Sequence, residues 1–183
     1  MLGESTDDMI RVFASDVVRD HEGHRFHPKV YQTDYFAKQA VLALDGHNAP
    51  RQQCLLDQQQ GKVDTSVNCD DKVAPLFLTV SFNAPHNPYQ ALLTDYYDPG
   101  VSHITNHRQR VYGGMMKSLD RGVGQILEAV VRNNMFEDTL IIFTSDNGGL
   151  TYTNLKQVNS PYRGGKATFF EGMSMIMVCL VFF

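Results

Sequence analysis

The chain of 183 residues is 43% hydrophobic and 20% charged, the ordinary balance of a soluble globular domain or of a piece of a larger one. Its net charge of -4 and pI near 5.9 argue against a nucleic-acid-binding protein, which normally presents a basic face. Its first residues lack the basic segment and apolar core of a signal peptide, and no apolar stretch is long enough to predict a transmembrane span.

The three cysteines are too few for a disulfide scaffold and form no Cys-x-x-Cys pair, so a zinc or thioredoxin-type site has no support. Cys54 and Cys69 could close a short loop in an oxidising compartment, or both could remain free thiols. Their spacing favours neither alternative.

Residues 1–30 form a predicted polar N-terminal segment that contains His21, His24 and His27. A spacing of three residues drifts around a helix, and no carboxylate lies at a suitable spacing to complete a metal site. Solvated histidines in a loop are therefore favoured over a metal site.

Residues 31–44 are predicted to form a helix, because their apolar residues share one face. Thr33 or Asp34 is the expected N-cap. Residues 45–74 are predicted to form a surface loop, since they contain a glycine, Pro50 and a run of glutamines.

Residues 76–82, "LFLTVSF", form a continuous apolar, β-branched and aromatic run between two prolines. This pattern is typical of a strand buried on both faces. The following loop, "NAPHNP", holds His86, which could donate a hydrogen bond to an anion or act as an acid or base. A structural histidine bonded to the backbone is the alternative.

Residues 106–134 are predicted to form an amphipathic helix, in which Gly113, Gly114 and Gly122 are unfavourable unless something packs closely against them. Residues 139–144, "TLIIFT", form a second predicted buried strand. Strand, helix and strand in this order are an α/β pattern, and such folds bind ligands beyond the carboxyl ends of parallel strands. The polar loops "NAPHNP" and "SDNGG" both follow those ends.

The second predicted strand runs into Asp146-Asn147-Gly148-Gly149. Asp146 offers a charged oxygen and Asn147 a neutral one, both on short side chains, and hard divalent cations prefer such ligands. The glycines allow a sharp turn and leave room for a ligand. An ordinary β-turn is the alternative, because Asp, Asn and Gly are all turn residues.

Further along, "SPYRGGKATFFEG" places Arg163 and Lys166 on either side of a Gly-Gly pair. Both cations could approach a bound anion closely. A basic surface loop before an apolar element is the alternative interpretation.

Four segments, taken together, carry more information than any one of them: "PLFLTVSFNAPHNPYQ", "VYGGMMKSLDRGVGQILEAV", "FTSDNGG" and "PYRGGKATFFEG". In order and spacing they resemble the sulfatase family, and arylsulfatase B-like members most. The resemblance covers residues 31–172, which we interpret as a partial sulfatase domain. Residues 173–183 form a divergent apolar tail, either a hydrophobic edge segment or the product of a shifted reading frame, which we favour.

The resemblance implies an α/β fold of the alkaline phosphatase-like type, with a mixed sheet between helices, and calcium-dependent hydrolysis of sulfate esters. It implies that Asp146 and Asn147 bind calcium, that His86 and Lys166 are catalytic and contact the sulfate, and that Arg163 helps to bind substrate. A dication with Lys and His donors would stabilise the charge of the transition state. We predict that Asp146, Asn147, His86 and Lys166 converge within one cleft. The expected partner is a sulfated small molecule or sulfated glycan, in a lysosomal or secreted setting.

The sequence also departs from the family pattern. The family's formylglycine nucleophile is made from a Cys-x-Pro-Ser-Arg stretch, and none of the three cysteines lies in one. A Gly-Lys-Trp-His segment and an Asp-Asp pair after an apolar strand are missing as well. We therefore expect an internal fragment with an incomplete fold, inactive as an isolated chain.

A truncated, non-catalytic sulfatase-like protein is the alternative function. A phosphomonoesterase or phosphodiesterase of the same superfamily fits less well, because such enzymes typically bind two transition metals through several Asp and His ligands.

Overall fold

The computed structural model describes residues 30–151, 159–174 and 179–181. Two long helices of this part, α1 (Gln32–Gln59) and α4 (His107–Arg132), pack against each other. The other elements are the short helices α2 (Leu93–Tyr96), α3 (Pro99–Ser102) and α5 (Glu171–Ser174), the 3-10 turns Cys69–Lys72 and Phe136–Asp138, and the strands β1 (Ile141–Phe143) and β2 (Cys179–Val181). None of the described helices combines the length and apolar character that crossing a membrane requires. The predicted histidine cluster, His21, His24 and His27, lies outside the described residues.

α1 extends to Gln59, so the assignment of residues 45–59 to a loop was wrong. After Pro50 the helix sequence is rich in Gln and Leu, which favour helix. Pro50 removes one main-chain donor, but Asn48 Nδ2 holds this part of the helix by donating to the main-chain oxygen of Asn133 at 2.9 Å. Tertiary contact therefore overrides the local turn signal.

A disulfide between Cys54 and Cys69 ties the last turns of α1 to the following 3-10 turn. Of the two alternatives that the cysteine spacing left open, the closed loop is the one observed.

The start of α1 also differs from the prediction. Tyr31 occupies the N-cap position, and its side chain makes no capping hydrogen bond. The predicted caps, Thr33 and Asp34, already lie inside the first turn. Thr33 is buried, and Asp34 accepts a hydrogen bond from Arg121 Nη2 at 3.2 Å. Packing against α4 thus determines where these two side chains lie.

α4 confirms the helix predicted over residues 106–134. Asn106 caps it, because its Oδ1 accepts the Gln109 N–H at 3.1 Å. A Cβ atom at Gly114 would lie 2.8 Å from the Ala91 Cβ, and one at Gly122 would lie 3.3 Å from the Ala37 Cβ on α1. These glycines therefore have the close packing that the sequence requires of them.

Buried apolar side chains form two clusters along α4. The first joins its N-terminal half to residues 84–91 and contains Ala84, Ala91, Val111, Met115 and Leu119. The second joins its C-terminal half to α1 and contains Leu44, Ala129 and Val130. The core of the described residues therefore lies along the helices.

The prediction of a buried strand over residues 76–82 was wrong. These residues adopt no regular secondary structure, and Phe77 is 92% exposed. A strand buried on both faces needs neighbouring strands, and no strand among residues 30–151, 159–174 and 179–181 pairs with this segment.

β1 confirms the position of the second predicted strand but contradicts its burial, since Ile142 is 57% exposed. β1 pairs antiparallel with β2, and the register is Ile141 to Val181, Ile142 to Leu180 and Phe143 to Cys179. β2 belongs to the predicted apolar tail. Within the described residues the fold is mostly helical with one two-stranded ladder, so the expected mixed sheet between helices is not formed there.

Candidate functional site

The turn at residues 146–149 begins three residues after β1 ends. Ser145 Oγ donates to the main-chain oxygen of Asn147 at 2.8 Å, and Asn147 Nδ2 donates to that of Gly148 at 2.9 Å. The amide nitrogen of Asn147 is thus engaged, while its Oδ1 accepts no hydrogen bond from any described residue. Asp146 is exposed. The side-chain oxygens of these two adjacent residues are therefore available to a ligand.

Two other segments pack against this turn: the loop at residues 159–168 and residues 172–173. The main-chain N–H to O distances that join the three segments are Lys166 to Gly149, 3.1 Å; Gly148 to Met173, 3.0 Å; and Gly172 to Arg163, 2.8 Å. We call these three segments the turn–loop junction.

The junction needs glycine because main chain contacts main chain there. A Cβ atom at Gly148 would lie 1.6 Å from the main-chain oxygen of Gly172. One at Gly165 would lie 2.1 Å from the main-chain oxygen of Gly149. The glycines of the two sequence motifs therefore permit the motifs to touch each other.

The junction places the main chain of Lys166 next to the turn. Ala167 follows with φ 67°, in the left-handed region that residues other than glycine rarely adopt. Thr168 Oγ1 accepts the Gly165 N–H at 3.0 Å and donates to the Gly165 oxygen at 2.7 Å, which closes the loop around Lys166. The half-buried Lys166 side chain forms no ion pair with any described residue.

Arg163 makes a different contact. Its guanidinium carbon lies 3.9 Å from the centroid of the Phe170 ring, a cation–π contact. The two cations that the sequence places on either side of the Gly-Gly pair therefore have different surroundings.

Asn159 is the side chain in the junction that sequence reasoning missed. It makes hydrogen bonds of 2.7 to 2.9 Å to the main chains of Gly149 and Gly164. In the sequence it stands in "NSPY", which has the composition of an ordinary turn and gives no signal of this role.

His86 lies on the loop after residues 76–82 and is exposed. Its main-chain N–H donates to the main-chain oxygen of Asn83 at 2.7 Å, and its ring Nδ1 lies 2.6 Å from the main-chain oxygen of Asn87. Since a carbonyl can only accept, Nδ1 carries the proton and Nε2 faces away from this bond. No hydrogen bond, ion pair or ring contact joins His86 to the junction among the described residues, so their convergence in one cleft stays a prediction.

The profile of the sulfatase family matches residues 24–173, most of the chain. The chain belongs to the sulfatase family. Arylsulfatase J of Mus musculus is 35% identical over 102 residues, which cover 56% of this chain and 16% of that protein. N-acetylgalactosamine-6-sulfatase of Homo sapiens is 34% identical over 100 residues, which cover 54% of this chain and 18% of that protein.

A solved structure agrees with the family assignment. The crystal structure of Ps i-CgsB in complex with k-i-k-neocarrahexaose is 31% identical, with a TM-score of 0.60 over 88% of this sulfatase chain and 30% of that chain. This similarity supports the alkaline phosphatase-like sulfatase fold. The chain spans less than a fifth of the length of the two relatives named above.

The donor chemistry of Asp146 and Asn147 fits a calcium ion in part. A carboxylate and an amide oxygen are the hard ligands that calcium prefers, but calcium takes six to eight of them. Within the described part of this sulfatase chain, no three His, Cys, Asp or Glu side chains lie together as a metal site. The turn can thus contribute to a calcium site without completing one.

A shallow charged groove lies between α1 and α4, and none of the predicted site residues lines it. Its lining is Asp34, Lys38, Val41, Arg121, Gln125, Glu128 and Arg132. Arg121 binds both oxygens of the buried Asp95, at 2.7 and 3.0 Å, and Arg132 binds Asp45. Burial raises the pKa of Asp95, but hydrogen bonds from Arg121 and Ser118 outweigh it and hold that pKa below its usual range. Because both of its arginines are already paired with carboxylates, we interpret the groove as part of the contact between the two helices and not as a ligand site.

Proposed function

We propose that this chain carries the calcium-binding and sulfate-binding part of a sulfuric ester hydrolase of arylsulfatase type, with arylsulfatase B-like specificity. The observation that carries the proposal is the hydrogen bond from the Lys166 N–H to the Gly149 oxygen, 3.1 Å, within the turn–loop junction. It joins the segment that holds a cation to the turn that holds two oxygen ligands. Sulfate ester hydrolysis needs both kinds of group beside one sulfate.

Asp146 and Asn147 would hold calcium through a carboxylate oxygen and the Asn147 Oδ1. Bound calcium supplies positive charge that stabilises the negative charge developing on the sulfate oxygens. The Lys166 ammonium would bind one sulfate oxygen and polarise the bond to be broken. Arg163 would help to bind substrate, and its contact with Phe170 restricts its movement.

His86 would act on the same group from a separate loop. Because Nδ1 donates to the Asn87 oxygen, the protonated ring has its second N–H, at Nε2, available for the sulfate or the leaving-group oxygen. This orientation suits a proton donor to the alcohol that leaves.

The 183 residues include no Cys-x-Pro-Ser-Arg stretch, so they supply no formylglycine nucleophile. We expect the isolated chain to bind a sulfate ester without turnover. A truncated, non-catalytic sulfatase-like protein is the alternative, and a chain that binds no sulfate ester at these residues would favour it.

The proposed substrate is a sulfated small molecule or a sulfated glycan. Two relatives favour the glycan: N-acetylgalactosamine-6-sulfatase carries a sugar in its name, and Ps i-CgsB was crystallised with an oligosaccharide. The Cys54–Cys69 disulfide supports a lysosomal or secreted setting, because disulfides persist in oxidising compartments.

The test is a titration of the isotope-labelled chain with 4-nitrophenyl sulfate, with and without calcium, followed by NMR of the backbone amides. We expect shifts at residues 146–149 and 163–166. Lys166→Ala should weaken binding about tenfold or more, the loss expected for a charge-assisted hydrogen bond. Asp146→Ala should abolish the calcium-dependent shifts.

The matched control is Lys72→Ala, which removes an exposed lysine of the Cys69–Lys72 turn, outside the junction. Equal losses for Lys72→Ala and Lys166→Ala would reduce the binding to nonspecific charge attraction. Stronger shifts with 4-nitrophenyl phosphate than with the sulfate would favour a phosphoesterase instead.

A further inference from the structure

The side chain of Asn159 uses both ends of its amide inside the turn–loop junction. Its Oδ1 accepts the Gly149 N–H at 2.8 Å, and its Nδ2 donates to the Gly149 oxygen at 2.7 Å and to the Gly164 oxygen at 2.9 Å. An asparagine amide has two N–H donors and one acceptor oxygen, so both donors and the oxygen are engaged.

We infer that Asn159 is a positioning residue that fixes the distance between the oxygen ligands of the turn and the ammonium of Lys166. The inference rests on the proposed function. The hydrogen bonds of Asn159 among the described residues go to neither ligand group. It acts through Gly149, two residues after Asn147, and through Gly164, two residues before Lys166.

The bonds to Gly149 explain why asparagine suits this position. One side chain satisfies both the N–H and the carbonyl of a single residue, as a neighbouring strand does in an antiparallel pair. Aspartate has the same shape but cannot donate to the two carbonyls, and alanine replaces none of the three bonds.

The contact also holds an unfavourable loop conformation. The Gly149 oxygen accepts a hydrogen bond from the Lys166 N–H as well as from Asn159, and the next residue, Ala167, has φ 67°. A backbone of this kind persists where its surroundings hold it in place. The Asn159 side chain also lies close to the main chain of Gly165, since a Cβ at Gly165 would lie 2.3 Å from the Asn159 Nδ2.

A positioning role predicts coupling between two ligands. If the junction holds the turn and the loop in register, calcium at the turn strengthens binding of 4-nitrophenyl sulfate at the loop, and the reverse holds to the same factor. Asn159→Ala and Asn159→Asp should keep weak binding of each ligand but lose this coupling, about tenfold in the affinity for the sulfate ester. A displacement of about 1 Å between the oxygen ligands and the Lys166 ammonium is enough for a loss of that size.

The experiment measures the affinity of the 183-residue chain for 4-nitrophenyl sulfate at several calcium concentrations, in the wild type and both variants. Asn106→Ala is the matched control, because it removes the cap of α4 and lowers stability at a distance from the junction. Its coupling should equal that of the wild type. Hydrogen exchange at the Gly149 amide should accelerate in Asn159→Ala and stay unchanged in Asn106→Ala.

The outcomes separate the two proposals. A wild-type chain that binds neither calcium nor the sulfate ester overturns the proposed function. A wild-type chain that shows coupling, with both Asn159 variants within twofold of it, overturns the positioning role. Fast exchange of the Gly149 amide in the wild type would overturn the positioning role as well, because the bond to Asn159 would then be absent.

Discussion

The helical body, which we define as residues 31–72 and 91–133, and the turn–loop junction are held together by different kinds of contact. In the body, side chains hydrogen-bond to one another across long sequence separations, as in the bond from Arg121 to the buried Asp95 and the bond from Asn48 to Asn133. In the junction, main chains meet at glycines, and the side chains that carry the proposed chemistry are exposed or half-buried. Stability should therefore depend on the body, and ligand binding on the junction.

The body contains two polar networks that join α4 to other helices: Asp95 of the first network lies on α2, and Asn48 of the second lies on α1. In one, Asp95 is 4% exposed and accepts bonds from Arg121 and from Ser118 Oγ, the latter at 2.5 Å. In the other, the buried Asn133 receives a hydrogen bond from Asn48 Nδ2 at 3.1 Å. Buried polar groups that keep their partners favour one packing arrangement of the helices.

The largest effect should come from breaking the first network. Arg121→Met leaves the Asp95 carboxylate buried without its cation, and such a loss costs about 3 kcal/mol of unfolding free energy, the low end of the range because Arg121 is partly exposed. Urea unfolding followed by circular dichroism measures it. The control, Lys117→Met, breaks a more exposed pair with Asp98 and should cost about 0–1 kcal/mol. Equal losses of unfolding free energy in the two variants would contradict the distinction between the buried and the more exposed ion pair.

The same variant should change the pH dependence of stability. The pKa of Asp95 is lowered in the folded chain, because the bonds from Arg121 and Ser118 outweigh its burial. Its contribution is therefore present above the unfolded pKa of about 3.9 and is lost as the pH falls through the folded value. The difference in unfolding free energy between the wild type and Arg121→Met should shrink below about pH 4. A difference that stays constant down to about pH 2 would exclude this carboxylate as the cause.

The disulfide should give the next largest effect. Replacing Cys54 and Cys69 by Ser removes a cross-link between residues separated by 15 positions, at a cost of about 2–3 kcal/mol. Hydrogen exchange should accelerate in the last turns of α1 and leave α4 unchanged. Cys179→Ser, outside the body, is the control and should stay within about 0.5 kcal/mol of the wild type.

The difference between the helical body and the turn–loop junction also bears on how much of the structure the sequence could predict. α4 was predictable, because its 3.6-residue period and its Asn106 cap are local. The C-terminal half of α1 was not, since Asn48 finds its partner 85 residues away. The segment at residues 76–82 has the composition of a strand, but a strand also needs partners that sequence composition does not supply.

The candidate site divides in the same way. The glycines of the two motifs indicated close main-chain approach, and Gly148 and Gly165 show it. The sequence could not indicate that the motifs approach each other, nor that Asn159 joins them, because asparagine before a proline-containing turn has many ordinary explanations.

Substitutions at two glycines should separate the effect on stability from the effect on ligand binding. Gly124→Ala adds a methyl group to α4 at a place where, among the described residues, no atom beyond the helix's own adjoining backbone lies within 4 Å. It should raise the unfolding free energy by up to about 1 kcal/mol and leave sulfate binding unchanged. Gly165→Ala should have the opposite pattern. Its Cβ would meet the Gly149 oxygen at 2.1 Å, so binding of 4-nitrophenyl sulfate should be lost while the unfolding of the body changes by less than about 0.5 kcal/mol. A large loss of body stability in Gly165→Ala would show that the two regions are not independent.

The smallest effect on stability should come from Phe77, which is 92% exposed in a segment that the body does not bury. Residues 74–82 make no main-chain hydrogen bond with any described residue, so they resemble an open strand edge. Phe77→Ser should change the unfolding free energy by less than about 0.5 kcal/mol and reduce self-association in sedimentation velocity. Phe82, in the same segment, packs against the first core cluster, so Phe82→Ser should cost about 2 kcal/mol. If the two substitutions cost the same, residues 76–82 are buried as a unit in solution, and the boundary between body and exposed segment lies elsewhere.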